Sequence, residues 1–234
     1  MPTRDATSVG APDLARNIPD LLLRWHVFRY RRRSDTSTRF LLEIARCVAR
    51  APRGPRVPPF LEIGTRTGGS ALLMLRVLDS IYGGKCHPPL VLTVDPYGSR
   101  PYEGTAHRYN ERHYSAMKRA LARYPNHIHY MMDSELFLRE IEQLYLWSAG
   151  TKHGIERFTL VYLDGSHDPA IVWNEIEQLV PRVIPGGFVI VDDTDWFDGA
   201  IRRRLDAAAS QLGVTLRHRE KQSVLEVITP PARV

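Results

Sequence analysis

The chain has 234 residues, of which 43% are hydrophobic and 25% charged, the proportions of an ordinary globular protein. This length fits one α/β domain behind a short N-terminal extension, and no apolar stretch is long enough to cross a bilayer. The net charge of +6 would suit a nucleic-acid partner, but the basic residues are scattered and no RNA-binding motif of stacked aromatic residues is present. Composition therefore excludes a membrane-spanning protein and makes nucleic acid an unexpected partner.

The N-terminus and the cysteines bear on the cellular compartment. The first 20 residues contain no apolar segment of the kind found in signal peptides. The two cysteines, Cys47 and Cys86, have neither paired nor metal-type spacing. We therefore expect a cytoplasmic protein that has no membrane partner.

The N-terminal quarter of the chain is predicted to be helical. Helices are expected over residues 21–33 and 36–50, where apolar residues recur at helical spacing. The proline-rich stretch 51–59 cannot continue a helix. We therefore predict a helical extension over residues 1–55 and a main domain over residues 56–234.

The main domain shows an alternation of apolar strands and helices. Strands are predicted at 60–63, 90–94, 127–132, 158–163 and 188–191, and the helices that follow them at 69–81, 108–123, 134–147, 169–179 and 200–212. A hairpin of residues 214–218 and 224–228 ends the domain. This order predicts an α/β fold, a Rossmann-like doubly wound, mostly parallel seven-stranded sheet with an antiparallel strand near the edge. Ligands in such sheets bind beyond the carboxyl ends of the strands.

A glycine motif joins the first strand to the first helix of this domain. It has the form Glu62-x-Gly64-x-x-x-Gly68, whose glycines allow a sharp turn and a close approach to a ligand. The amide groups at the start of the following helix can bind a carboxylate or a polar group. The spacing differs from the dinucleotide pattern G-x-G-x-x-G. Asp95 ends the second strand, where an acidic side chain can accept hydrogen bonds from both hydroxyls of a ribose.

This pattern resembles the S-adenosylmethionine (SAM) motif of class I methyltransferases. The resemblance implies that Glu62 lies near the amino end of the cofactor and that Asp133, after the third strand, lies against the adenine. Capping of the next helix is an equally good explanation of Asp133. The predicted cofactor-binding residues are Glu62, Gly64, Thr65, Gly68, Ser70, Asp95, Asp133 and Asp164.

A second group of polar residues follows the fourth and fifth strands. The fourth strand ends in Asp164-Gly-Ser-His167, and the fifth, which follows a Pro-Gly-Gly sequence, ends in Asp192-Asp193. Because these strand ends are neighbours in a doubly wound sheet, the carboxylates should converge and raise one another's pKa unless a cation compensates. Oxygen ligands of this kind suit Mg²⁺, or otherwise Mn²⁺ or Ca²⁺.

The two motifs together resemble the macrocin O-methyltransferase family, whose metal-dependent enzymes methylate sugar hydroxyls of natural products. The resemblance extends from about residue 60 to residue 195. It implies that Asp164, Asp192 and Asp193 bind the metal and that His167 is the general base. The chemistry agrees, because a metal lowers the pKa of an alcohol and histidine is suited to removing the proton. The alternative is that the aspartates cap turns and His167 is a surface residue.

We therefore predict a SAM- and divalent-metal-dependent O-methyltransferase whose acceptor is a small hydroxylated molecule, with a glycosylated natural product as the leading candidate. A catechol-type O-methyltransferase is one alternative, although its Asp-x-x-Lys arrangement is absent after the fourth strand. An RNA methyltransferase is favoured by charge alone, and a non-catalytic SAM-binding interaction protein is the alternative outside enzymes. Assembly into a homo-oligomer is left open.

The stretch after the second strand is a candidate lid over the acceptor. Residues 96–114 are rich in glycine, tyrosine, histidine and arginine, the composition of a mobile loop that contacts substrate. The side chains predicted to contact a sugar or an aromatic ring are Tyr97, Tyr102, His107, Arg108 and Tyr109. A plain surface loop is the alternative.

Overall fold

The computed structural model of the chain describes residues 19–30, 37–54, 57–83, 88–98, 111–148 and 151–229. The helices in this part of the chain are α1 Asp20–Tyr30, α2 Thr38–Arg50, α3 Gly69–Tyr82, α4 Glu111–Leu121, α5 Ser134–Glu140, α6 Pro169–Leu179 and α7 Trp196–Ala208. The strands are β1 Phe60–Ile63, β2 Val91–Val94, β3 His127–Tyr130, β4 Tyr145–Ser148, β5 Thr151–Gly154, β6 Phe158–Leu163, β7 Val183–Val191, β8 Val214–Arg219 and β9 Gln222–Val227. No helix in these ranges is long and apolar enough to cross a membrane.

Seven of the strands form one sheet in the order β3-β2-β1-β6-β7-β9-β8. Strand β9 is antiparallel to both of its neighbours, and the remaining pairs are parallel. The strand order reverses between β1 and β6, which makes their carboxyl ends the expected binding edge. The predicted fold class, including the antiparallel strand near the edge, is confirmed.

Apolar side chains cover both faces of the sheet, which explains why its central strands are almost continuously hydrophobic. On one face, alternate residues such as Phe60 and Leu160 pack with helices α1 to α4. On the other face, residues such as Leu61 and Val161 pack with α5, α6 and α7. The two N-terminal helices thus share the core of the sheet, and the boundary after residue 55 stays a prediction.

One predicted helix is wrong over its second half. The helix expected at 134–147 ends at Glu140, and β4 and β5 then form a separate antiparallel hairpin. Ile141, the C-cap residue, is the last fully buried residue before β4, and the chain turns there rather than continuing the helix. Aromatic residues favour strands, and the ammonium nitrogen of Lys152 lies 3.5 Å from the centre of the Tyr145 ring across the hairpin.

The other predicted strand and helix boundaries differ from the observed ones by a few residues. Strand β7 begins at Val183 rather than at the predicted residue 188, because Val183 already pairs with Phe158 before a register shift. The last helix is regular from about Ala200, as predicted, but three residues with left-handed backbone precede it within α7. Helix α6 begins at Pro169 behind the N-cap Asp168, whose side chain accepts a hydrogen bond from the Ala170 amide at 2.8 Å.

Candidate active site

The carboxyl ends of the central strands lie side by side. Beyond the strands proper, the backbone N–H of Gly64 donates to the Val94 carbonyl at 2.9 Å, and that of Asp164 donates to the Ile63 carbonyl at 2.9 Å. The N–H of Asp192 donates to the Leu163 carbonyl at 2.9 Å. The ladder thus extends one residue past β1, β6 and β7, and it brings both predicted motifs to one edge of the sheet.

The glycine turn packs directly against the second motif. Gly64 has a φ of 89°, and a Cβ there would lie 2.1 Å from the backbone oxygen of Asp164. Gly68, with a φ of 78°, begins helix α3, and a Cβ there would approach Met117 and Leu121 to 3.2 Å. Any side chain at Gly64 would therefore push the two loops apart, and only glycine fits.

Glu62 is a buried acid with one unsatisfied oxygen. Its side chain is 0% exposed, and its Oε1 accepts a hydrogen bond from the Ser70 hydroxyl. Its Oε2 has no hydrogen-bond partner in the described part of the chain. Burial raises the pKa of Glu62 to about 8. An unpaired buried carboxyl costs about 1–3 kcal/mol, so a cationic ligand group that contacts Oε2 fits this site.

Asp95 joins the glycine turn to the loop after β2. Its Oδ2 accepts from the Arg66 amide at 2.9 Å and its Oδ1 from the Tyr97 amide at 3.1 Å. Burial raises the pKa of Asp95, and hydrogen bonds from backbone groups, including that of Thr65, act in the opposite direction. Each carboxylate oxygen can accept a further donor, so the geometry is compatible with ribose hydroxyls.

Two other residues that were predicted to contact a ligand form hydrogen bonds within the protein. The Asp133 carboxylate accepts from the Leu136 amide at 2.8 Å and caps α5, and its contact with adenine stays a prediction. Tyr97, predicted to face the acceptor, is buried, and its hydroxyl donates to the Arg66 carbonyl at 2.5 Å. The remaining lid residues, Tyr102, His107, Arg108 and Tyr109, lie outside the described residues.

Tyr162 connects the aspartates at the ends of β6 and β7. Its hydroxyl lies 3.0 Å from Asp164 Oδ2 and 2.7 Å from Asp192 Oδ2. Burial, and then the charge of Asp192, raise the pKa of Asp164 well above its ordinary value, and burial also raises the pKa of Asp192. A phenol has one proton to donate, so a further proton or a cation between the two carboxyl groups would relieve their repulsion.

Asp193 belongs to a different cluster. Its Oδ2 lies 2.8 Å from His167 Nε2, and its Oδ1 lies 3.5 Å from the ammonium nitrogen of Lys221. Burial raises the pKa of Asp193, but His167 and Lys221 outweigh this effect and hold it below its ordinary value. The ring of Trp196 stacks on the other side of the imidazole, with 4.1 Å between ring centres. His167 is therefore fixed by a carboxylate and an indole.

The donor set fits a hard divalent cation in part. Asp164 and Asp192 are half-buried carboxyl groups that contact the same tyrosine hydroxyl, and a divalent cation between them would offset their repulsion. Asp193, predicted as a third ligand, contacts His167 and Lys221 instead. Within the described ranges, no group of three or more His, Cys, Asp and Glu side chains is arranged to hold a metal ion.

Sequence reasoning missed three neighbours of the predicted residues: Tyr162, Trp196 and Lys221. Tyr162 was detectable, because it lies two residues before Asp164 and residues at that spacing in a strand share a face. Trp196 and Lys221 gave no such signal. Their positions depend on the left-handed backbone of the β7–α7 loop and on the turn between β8 and β9.

Comparisons with known proteins agree with this geometry. Residues 61–194 match the family described as "Methyltransferase domain". No curated protein sequence matches the chain. One similar solved structure is the O-methyltransferase TomG from Streptomyces achromogenes, which is involved in tomaymycin synthesis and was solved with SAM. It is 16% identical to this chain, with a TM-score of 0.56, and the match covers 91% of each chain.

Two further structures show the same fold. The O-methyltransferase NovP is 15% identical with a TM-score of 0.58, over 84% of this chain and 83% of that one. The MycE methyltransferase of the mycinamycin biosynthetic pathway, solved with Mg and S-adenosylhomocysteine (SAH), is 18% identical with a TM-score of 0.56, over 87% of this chain and 54% of that one. The matched segment covers the glycine turn, Asp95 and both aspartate motifs. The chain therefore belongs to the methyltransferase-domain family and has the fold of SAM-dependent O-methyltransferases.

Proposed function

We propose that this protein is a SAM- and divalent-metal-dependent O-methyltransferase that acts on a hydroxyl of a small molecule, a glycosylated or polyhydroxylated natural product. The main support is that two polar clusters lie close to the glycine turn at one edge of the sheet. The Asp164–Tyr162–Asp192 chain and the His167–Asp193 pair lie on adjacent strands, beside the glycine turn. The neighbours add support, since TomG takes part in tomaymycin synthesis and MycE was solved with Mg, SAH and mycinamycin VI.

The cofactor side of the site uses residues of β1, β2 and their loops. Bound SAM supplies a methyl group that its sulfonium sulfur releases readily. Glu62 would face the amino group of SAM through its unpaired Oε2, and Asp95 would accept hydrogen bonds from the ribose hydroxyls. Gly64 and Gly68 keep the turn free of side chains where the backbone approaches the ligand.

The acceptor side uses residues of β6, β7 and the loops that follow them. His167 would remove the proton from the acceptor hydroxyl as the methyl group arrives. With Nε2–H donated to Asp193, Nδ1 is the nitrogen that takes this proton, and Asp193 keeps the ring oriented. A divalent cation held by Asp164 and Asp192 would lower the pKa of that hydroxyl.

The test is transfer of labelled methyl groups from SAM to a metabolite extract, with and without excess chelator. We expect labelled product in its absence, no product in its presence, and recovery when Mg²⁺ is added back. Chelator already saturated with Mg²⁺ is the matched control. Calorimetry should show that the chelator leaves SAM binding unchanged, because the aspartates are on the acceptor side. Full turnover in excess chelator would remove the metal from the proposal, and SAM binding without product in any extract would favour a non-catalytic SAM-binding protein.

A further inference from the structure

The loop of residues 192–199, which joins β7 to the regular part of α7, has an unusual backbone. Asp193, Phe197, Asp198 and Gly199 all have left-handed conformations, with φ values of 46°, 50°, 55° and 70°. Only one of the four is glycine, and non-glycine residues keep such conformations when their surroundings hold them, often at functional sites. Here Thr194 anchors the loop, since its amide donates to the Lys221 carbonyl at 2.7 Å. The shape of the loop is therefore imposed by its neighbours.

This shape leaves two neighbouring aromatic side chains exposed, one of them against the candidate base. Trp196 is stacked on His167 with 23° between the ring planes, yet it is 42% exposed. Phe197, the next residue, is 57% exposed. The pair, which we call the aromatic platform, lies at the same edge of the sheet as Asp164 and Asp192. A strained, anchored loop that leaves two large apolar side chains open to water is better explained by a ligand than by packing.

We propose that the aromatic platform binds the flat, uncharged face of a hydroxylated ring in the acceptor. The proposal rests on the proposed function and adds the part of the acceptor that is recognised. Aromatic faces carry partial negative charge, so they attract the edge of an aryl ring or the C–H face of a pyranose. Exposed Asp195 and Asp198 and the cations Arg203 and Lys221 lie at the same loop, so no single sign of charge prevails beside the platform. The imidazole covers one face of the indole, so a ring that rests on the open part of the platform reaches His167 with a hydroxyl group that extends past the edge of the indole.

The two members of the platform have separable roles. Trp196 contacts both the imidazole and the ring of the acceptor, so it is a positioning residue as well as a binding residue. Phe197 contributes to binding. Loss of the Phe197 ring should therefore raise only the KM for the acceptor, whereas loss of the Trp196 indole should raise that KM and also lower kcat. Trp196→Phe keeps an aromatic face against His167 and should restore most of kcat.

The first experiment measures binding directly by saturation-transfer NMR, with phenol and methyl β-glucopyranoside as separate probes. Trp196→Ala and Phe197→Ser should each raise the Kd of at least one probe by roughly two- to tenfold, the effect of losing one stacking contact. The matched controls are Trp25→Ala and Phe28→Ser on α1, whose side chains are similarly exposed at 51% and 64%. The probe that binds more tightly identifies the ring as aryl or pyranose. Failure of both probes to bind, or equal losses in the α1 controls, would overturn the proposal.

The second experiment separates this proposal from the proposed function. SAM binding, measured by calorimetry, and methyl transfer are compared in wild type and in the four variants. Unchanged KM and kcat in Trp196→Ala and Phe197→Ser would overturn the platform while leaving the methyltransferase intact. If the wild type neither binds SAM nor transfers a methyl group, the proposed function fails, and the platform fails with it as an acceptor site even where the probes bind.

Discussion

Binding of SAM should release a proton from Glu62. Burial raises the pKa of this carboxyl to about 8, so in the free protein it is mostly protonated at pH 7. In the proposed function, the cationic amino group of SAM lies at this residue, where the unpaired Oε2 would be available to it. The charged ligand favours the carboxylate, and the pKa of Glu62 falls in the complex. SAM affinity should therefore fall by about tenfold for each pH unit below pH 8 until the pKa of the complex is reached.

The assay is calorimetry at pH 6.5 in two buffers that differ in their ionisation enthalpy. The wild type should release about one proton more than Glu62→Gln, because the amide cannot ionise. Any titration of SAM itself is common to both proteins and cancels. Equal proton release by wild type and Glu62→Gln would refute the assignment of Glu62 to the amino end of the cofactor.

The same substitution should alter the pH dependence of stability. The unfolded chain loses the Glu62 proton near pH 4.5 and the folded chain near pH 8, so the contribution of Glu62 is full below pH 4.5 and falls as pH rises toward 8. Its upper bound is about 5 kcal/mol. In urea denaturation, Glu62→Gln should lose less stability than the wild type between pH 5 and pH 8. The other buried carboxyls contribute equally to both proteins.

Two further substitutions test opposite sides of the site. Asp95→Ala should weaken SAM binding severely, because each lost hydrogen bond to the charged carboxylate costs about 1.5–3 kcal/mol. Equal SAM affinity in the wild type, Asp95→Ala and Gly64→Val would contradict the proposed cofactor site. His167→Ala should lower kcat by roughly 10²–10⁴-fold, the range for a positioned general base, and should leave SAM affinity unchanged. A near-normal kcat in His167→Asn would instead assign this residue a structural role.

The fold could be predicted because its determinants are local. The predicted strands have four to six residues and the predicted helices 11 to 16, which leaves few ways to bury both faces of a sheet. Apart from the β4–β5 hairpin, the predicted order of elements agrees with the structure. The β4–β5 hairpin could not be predicted in this way. It lies outside the main sheet, and its residues repeat at neither the helical nor the buried-strand period.

The positions of the site residues were also predictable, but their partners were not. Strand topology determines where backbone positions such as Asp164 and Asp192 lie, because parallel strands end at one edge. The direction of a side chain in a loop depends on individual φ and ψ angles. Asp193 is an example. Its backbone has a φ of 46°, and its side chain contacts His167 and Lys221.

The role of Asp193 determines how the acceptor side works. Family resemblance implies that Asp193 is a metal ligand, whereas its 2.8 Å contact with His167 favours a role in orienting the proposed base. Asp193→Asn separates these roles, because asparagine tolerates the left-handed backbone and can still accept the His167 N–H. For an orienting carboxylate we expect kcat to fall by roughly 10–100-fold, with an unchanged Mg²⁺ concentration at half-maximal activity.

For a metal ligand, the same substitution would raise the half-maximal Mg²⁺ concentration, and saturating Mg²⁺ would restore kcat. Asp192→Asn supplies the reference for that second pattern, because Asp192 shares the Tyr162 hydroxyl with Asp164, the other proposed ligand. If Asp193→Asn behaved like Asp192→Asn, the aspartate triad of the family would operate here, and the His167–Asp193 pair would have to open when the cation binds. We expect the two variants to differ, because Asp193 keeps a low pKa through His167 and Lys221, whereas Asp164 and Asp192 have raised pKa values that a cation would relieve.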